Sequence, residues 1–133
     1  MLGQLVGQTG YFVHQVSITL AGTLNVQGEA FVQLLQGQDY KVVSIQSIQT
    51  GSWSVIWGTN TINFMTGFCR YSNVFGTGIL PHRWVGPGFD YCPVFPRGSL
   101  IRFQFRNDTG NSNTIELAVE GIYANWITAP TSS

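Results

Sequence analysis

The residues able to do chemistry in this chain are few and widely spaced. Two histidines (His14, His82), two cysteines (Cys69, Cys92) and six carboxylates make up the whole supply of imidazole, thiol and carboxylate groups. A nucleophilic triad needs Ser or Cys, His and a carboxylate brought together. No GxSxG or comparable nucleophile turn occurs, and Cys92 with His82 is the one conceivable pair. His14 falls on the apolar side of a period-two segment, where a hydrogen-bonded core histidine is expected rather than a ligand. Paired-carboxylate chemistry has little to build on: Glu116 and Glu120 belong to the outer face of a strand, and Asp39 and Asp90 stand in loops with no identifiable partner. His14, Cys69, His82 and Cys92 are metal-ligand types without short chelating spacing. Gly76-Thr77-Gly78 and Gly86-Pro87-Gly88 match neither the GxGxxG nor the Walker pattern. The expectation is a protein with no catalytic residues, no metal site and no cofactor.

The elements that would position any site are strands. Alternation of period two dominates, and no segment of helical length sustains a 3.6 period. Over Tyr11–Leu20, Phe12, His14, Val16, Ile18 and Leu20 share one face, and Ala21-Gly22-Thr23 reads as a turn. Further strands are expected at 24–27, 30–35, 40–48, 52–57 and 61–69. Gly28–Leu35 also fits a short helix, and a strand is the preferred reading. Residues 72–98 are rich in Pro, Gly and aromatics, which interrupts ladder pairing. So apolar a loop region is expected to cap the open end of a sandwich, to meet a partner, or both. The segments 99–106 and 114–120 read as a hairpin about Asn111, with Ile101, Phe103, Phe105, Ile115, Leu117 and Val119 inward. That pairing sets Arg106 opposite Glu116 and Arg102 opposite Glu120. The predicted architecture is all-β: one antiparallel β-sandwich domain over 1–133, jelly-roll-like, with an N-terminal arm at 1–10 and a frayed tail at 128–133.

Composition narrows the function classes. The chain has 133 residues, 44% hydrophobic and 14% aromatic, with only 9% charged and a formal net charge of zero. Nucleic-acid binding draws on clustered Lys and Arg, whereas the six basic residues here are scattered and five are Arg. No run reaches the roughly 18 apolar residues of a membrane span, and the start lacks the features of a signal peptide. Production in a cytosol is expected, with Cys69 and Cys92 as buried free thiols. Asn107-Asp108-Thr109 matches a glycosylation sequon that such a compartment leaves unused. Residues 1–28 and 42–69 carry no formal side-chain charge. Because interface cores are depleted of charge, those stretches are expected to be covered by other subunits rather than merely wetted by Ser, Thr, Asn and Gln. The expected contact residues are Trp53, Trp57, Trp84, Phe89, Tyr91 and Trp126. The tryptophans, with Tyr71 and Tyr91, could alternatively form stacking platforms for sugar rings.

The order of motifs carries a family resemblance. Gly28-Glu29-Ala30-Phe31-Val32 leads into Tyr40-Lys41-Val42-Val43-Ser44-Ile45, followed by Phe75-Gly76-Thr77-Gly78 and Pro81. Then come Phe95-Pro96-Arg97-Gly98-Ser99-Leu100-Ile101, a strand closing in Arg106-Asn107-Asp108-Thr109, and Ile115–Tyr123 with Glu120-Gly121-Ile122-Tyr123. Over residues 17–123 this layout resembles small virion structural proteins of tailed bacteriophages, the capsid cement or decoration proteins among them. The resemblance implies a non-enzymatic subunit on the capsid surface, a homo-oligomer (dimer or trimer), with the major capsid protein as partner and neither nucleic acid nor membrane. The alternative from another class is a carbohydrate-binding module of a phage tail or receptor-binding structure.

Overall fold

Alternating apolar side chains can be satisfied only if each strand turns one side to a shared interior, and the computed structural model resolves that demand into two packed antiparallel sheets. It describes residues 10–47, 51–75 and 82–126; the proposed arm (apart from Gly10) and tail lie outside them. The elements run β1 (Gly10–Leu20), β2 (Gln27–Gln33), β3 (Asp39–Ser47), β4 (Trp53–Thr59), β5 (Cys69–Arg70), one helical turn α1 (Tyr71–Val74), β6 (His82–Val85), a 3₁₀ turn (Phe89–Tyr91), β7 (Val94–Phe95), β8 (Leu100–Asn107) and β9 (Asn113–Ala124). Sheet A has the order β1-β9-β3-β6, with β7 also on β3; sheet B has the order β2-β8-β4-β5. The all-β sandwich expected from the alternation is the fold observed. Among the described residues no helix is long and apolar enough to cross a membrane.

The core lies between the sheets. From sheet A come Val16, Leu20, Tyr40, Val42, Ile45, Ile115, Leu117, Val119 and Tyr123; from sheet B come Val32, Trp53, Val55, Trp57, Ile101, Phe103 and Phe105. One side of the sandwich is closed tightly, because a Cβ on Gly28 of β2 would sit 2.8 Å from Ile18 and 2.9 Å from Leu20 of β1. At Gly121 of β9 a Cβ would fall 2.2 Å from the Lys41 carbonyl oxygen. The bulge in β3 opens here, between Val42 and Ser44, and only a residue without a side chain lets the two backbones approach this closely. The opposite side is open, bounded by the two-residue β5 and the four-residue β6.

Several sequence expectations change. The segments 99–106 and 114–120 are strands, but not a hairpin: β8 pairs with β2 and β4, and β9 with β1 and β3. The link between them crosses from one sheet to the other, turned by the buried Asn107. Its amide nitrogen donates to Ala21 O (2.9 Å) and Asn111 O (2.8 Å), while its Oδ1 accepts from Thr109 N (3.0 Å) and Oγ1 (2.9 Å). The expected Arg–Glu pairs are therefore replaced. Arg106 meets Asp108 at 3.0 Å and Arg102 meets Glu29 at 3.8 Å. Alternation fixes which side of a strand is buried, and two strands facing each other across a core satisfy it as well as two side by side.

The expected strand at 61–69 shrinks to β5, because the chain reverses at once after β4. Thr59 N donates to Ile62 O (2.8 Å) and Phe64 N to Trp57 O (2.9 Å). Residues 24–26 form a turn, with Asn25 at φ 69°. The preferred strand over Gly28–Leu35 is observed as β2. Region 72–98 is not simply a loop, since β6 and β7 both add to β3. Asp39, expected in a loop without a partner, opens β3 and accepts from Arg97 N (3.0 Å) and Nε (3.3 Å).

Phe103, fully buried between the sheets, tests this packing. Phe103→Ala should lower the unfolding free energy by about 3–5 kcal/mol, read from the urea midpoint at unchanged slope.

Candidate functional site

The six aromatic residues expected at an interface do not form one surface. Trp53 is 0% exposed, stacked on Tyr71 at 4.8 Å and set edge-on against Phe105 at 5.6 Å. Trp57 is also buried. Both are core residues, because each occupies an inward position of β4, and they are corrected from contact to core. A period-two pattern says which residues share a side, and here the tryptophans share the inner one.

Trp57 nonetheless forms the floor of a cleft at the open side. Trp84, inward on the edge strand β6, meets it edge-to-face at 5.2 Å, and Phe64 does the same from the β4–β5 connection at 5.0 Å. With Met65, Val74 and Pro93 they enclose about 490 Å³, with Cys69 on the wall. The volume is that of a small-molecule site, but the chemistry is apolar. The sole titratable group among the described lining residues is the Cys69 thiol, which donates to Gly67 O at 3.7 Å. Both thiols are free; Cys92 is buried as expected, whereas Cys69 is only half-buried. The His82 side chain lies outside the described residues, and with it any pairing to Cys92.

Phe89 and Trp126 meet on the other side of sheet A, their rings 5.4 Å apart. They enclose Lys41, whose Nζ lies 4.1 Å from the Phe89 ring centre and 4.3 Å from that of Trp126 and donates to Phe89 O at 3.1 Å. A cation removed from water is thus held by two π faces and one carbonyl. Sequence reading missed Lys41, because its partners are 48 and 85 positions away. Tyr91, next to Phe89, is 79% exposed.

The two outer faces differ. On sheet B Glu29 takes Arg102 and Gln104, Arg106 takes Asp108, and Arg70 donates to Ser52 Oγ, with Phe31 exposed beside them. Sheet A presents Tyr11 (61% exposed), Val13 and Val85 (62%). Tyr11, Ile122 and Lys41 stand in one cross-strand row, with Val13, Glu120, Ser44 and Val85 in the next. Glu120 accepts from the hydroxyls of Tyr11 and Ser44 and from Gln46 Nε2 (3.1 Å).

His14 is the one described histidine side chain, and its surroundings are structural. The Tyr123 hydroxyl accepts from Leu35 N (3.0 Å) and is hydrogen-bonded to His14 Nε2 at 2.7 Å. Burial pushes the His14 imidazole pKa below the ordinary 6.5 and so favours its neutral form. Burial likewise raises the Tyr40 and Tyr123 hydroxyls, so neither phenol acts as a base near neutrality. Among the described residues no three His, Cys, Asp or Glu side chains converge as a metal site would require. No protein-family model matches the chain, and no curated protein matches it in sequence.

Two predictions follow from these contacts. The folded chain resists protonation of His14, so that residue's contribution to stability is complete above 6.5 and is lost as the pH falls below it and through the lower folded-state value. Urea midpoints at about pH 7.5 and about pH 5 should therefore differ more in the natural chain than in His14→Gln. Trp126→Ala should cost about 1–2 kcal/mol by opening one side of the Lys41 enclosure, and Trp126→Phe should recover most of that loss in the same titration.

Proposed function

We propose that this chain is a non-enzymatic virion structural subunit, a capsid cement or decoration protein of a phage head that binds neighbouring coat subunits. The observation that carries the reading is the strand order. β1-β9-β3-β6 facing β2-β8-β4-β5 supports reading the sandwich as an eight-stranded jelly roll with β7 as an addition, and jelly rolls recur in viral capsid and lectin domains. The outer face of sheet A agrees with it: exposed Tyr11, Val13 and Val85, beside the exposed Phe89 and Tyr91, have the aromatic-rich make-up of an interface core. Trp84 and Trp126 contribute as neighbours of that surface and of the open cleft rather than as free anchors. A contact of standard size, about 1,600 Å² in total, supports tight binding, and a closed dimer or trimer on a symmetry axis adds avidity.

A carbohydrate-binding role is the second reading, favoured by the freely exposed Tyr91 ring and the use of the jelly roll by lectins. It has lost the expected tryptophan platform, since Trp53 and Trp57 are interior and Trp126 is occupied by Lys41.

Mixing the protein with undecorated capsids tests the first reading. Saturable binding and a higher shell-disruption temperature are expected. Val85→Asp should abolish both while leaving the circular dichroism spectrum unchanged, because Val85 points away from the core. If the shell neither binds the protein nor changes its stability, the cement role is wrong. Saturable glycan binding in that case would favour the second reading.

A further inference from the structure

On the outer face of sheet A, Gln15 of β1, Ala118 of β9 and Gln46 of β3 stand directly opposite one another. The methyl of Ala118 is too short to fill the space between the two longer side chains. A hollow of about 90 Å³ remains, walled by Gln15 and Gln46 and by Glu116, two positions along β9 on the same face. Glu116 is half-buried and makes no hydrogen bond or ion pair among the described residues; Gln15 likewise makes none. Gln46 spends its amide nitrogen on Glu120, so its carbonyl oxygen is the atom left for an incoming group. The hollow thus offers one carboxylate and amide oxygens, with Tyr11, Val13 and Val85 as apolar shoulders on the same face.

Acceptors around a negative charge select a donor-rich cation. Guanidinium carries five N–H donors in one plane, is weakly hydrated, and pairs with carboxylate in two-point geometry. The chain's own described cations are engaged elsewhere: Arg97 on Asp39, Arg102 on Glu29, Arg106 on Asp108, Arg70 on Ser52, and Lys41 between its two rings. We propose that the hollow over Ala118 receives an arginine side chain of the partner protein, with Glu116 as its counter-charge and Gln15 and Gln46 as lateral acceptors. The inference rests on the reading of sheet A's outer face as the docking face and names the partner's chemistry there.

The test titrates the blocked tripeptide Ac-Gly-Arg-Gly-NH₂ into ¹⁵N-labelled protein, with Ac-Gly-Gln-Gly-NH₂ as control. Expected are saturable shifts of the amides of Gln15, Gln46 and Glu116 to Ala118 with the arginine peptide alone, weakened about fivefold in Glu116→Gln, the size of one exposed charge pair. Equal shifts with both peptides, shifts centred instead on Glu29 or Asp108, or unchanged affinity in Glu116→Gln overturn the proposal. Arg83 stands opposite Gln46 on the edge strand. If the arginine peptide binds only in Arg83→Gln, the hollow serves an internal arginine and the proposal fails. Capsid binding separates the two readings. Glu116→Lys that decorates capsids like the natural chain overturns the arginine site and leaves the cement role standing. A natural chain that takes up the arginine peptide in the hollow but ignores capsids sustains the site and removes that role.

Discussion

A row of aromatic rings runs across the inner side of sheet B, and the packing of the rest follows from it. Trp57 stacks on Phe103 (5.9 Å, 14°), Phe103 on Phe105 (6.0 Å, 11°), and Phe105 meets Trp53 edge-on (5.6 Å, 69°). β4 and β8 contribute these rings in register, Trp57 opposite Phe103 and Val55 opposite Phe105. Rings of this size need a facing layer without gaps, and Tyr40, Ile45, Ile115, Leu117 and Tyr123 of sheet A supply it. Interiors are packed to crystal-like density, so the row also sets what can lie at its ends. At one end Trp53 is closed in by Tyr71 and Phe75. At the other, Trp57 is left at the floor of the open cleft.

With so few charges, their treatment separates the faces of the molecule. On or beside sheet B's outer face Glu29 pairs with Arg102 and Arg106 with Asp108, and Arg70 donates to the Ser52 hydroxyl. Sheet A buries Lys41 under two rings and surrounds Glu120 with hydroxyl and amide donors, while Glu116 of the same face makes no pair among the described residues and apolar side chains stand nearby. The exposed apolar side chains of this face meet water at a disadvantage and another protein's apolar surface at little cost. The proposed binding role draws on this apolar surface together with the strand order.

Much of the fold was legible in the sequence. The inward set Phe12, His14, Val16, Ile18 and Leu20 is found as read, as are the inner faces of β8 and β9, and His14 proves to be a hydrogen-bonded core histidine. The candidate site was far less legible. Trp53 and Trp57 are large and aromatic, as contact residues are, but the core draws on the same residue type. Lys41 gave no signal, because its partners reach it only after β3, the 3₁₀ turn and the end of β9 converge. The sequon at Asn107 turned out to be the brace of the crossover between the sheets.

The sequence by itself determined the class of element and the buried side of each strand, since alternation of apolar residues is a local property that chain geometry converts directly into a face. The tertiary structure alone decided which strands are neighbours. Every strand offers the same backbone donors and acceptors, so the ladder cannot identify its partner. The choice between a hairpin and a crossing of β8 to β9 fell to the fit of side chains across the core and to the turn built on Asn107.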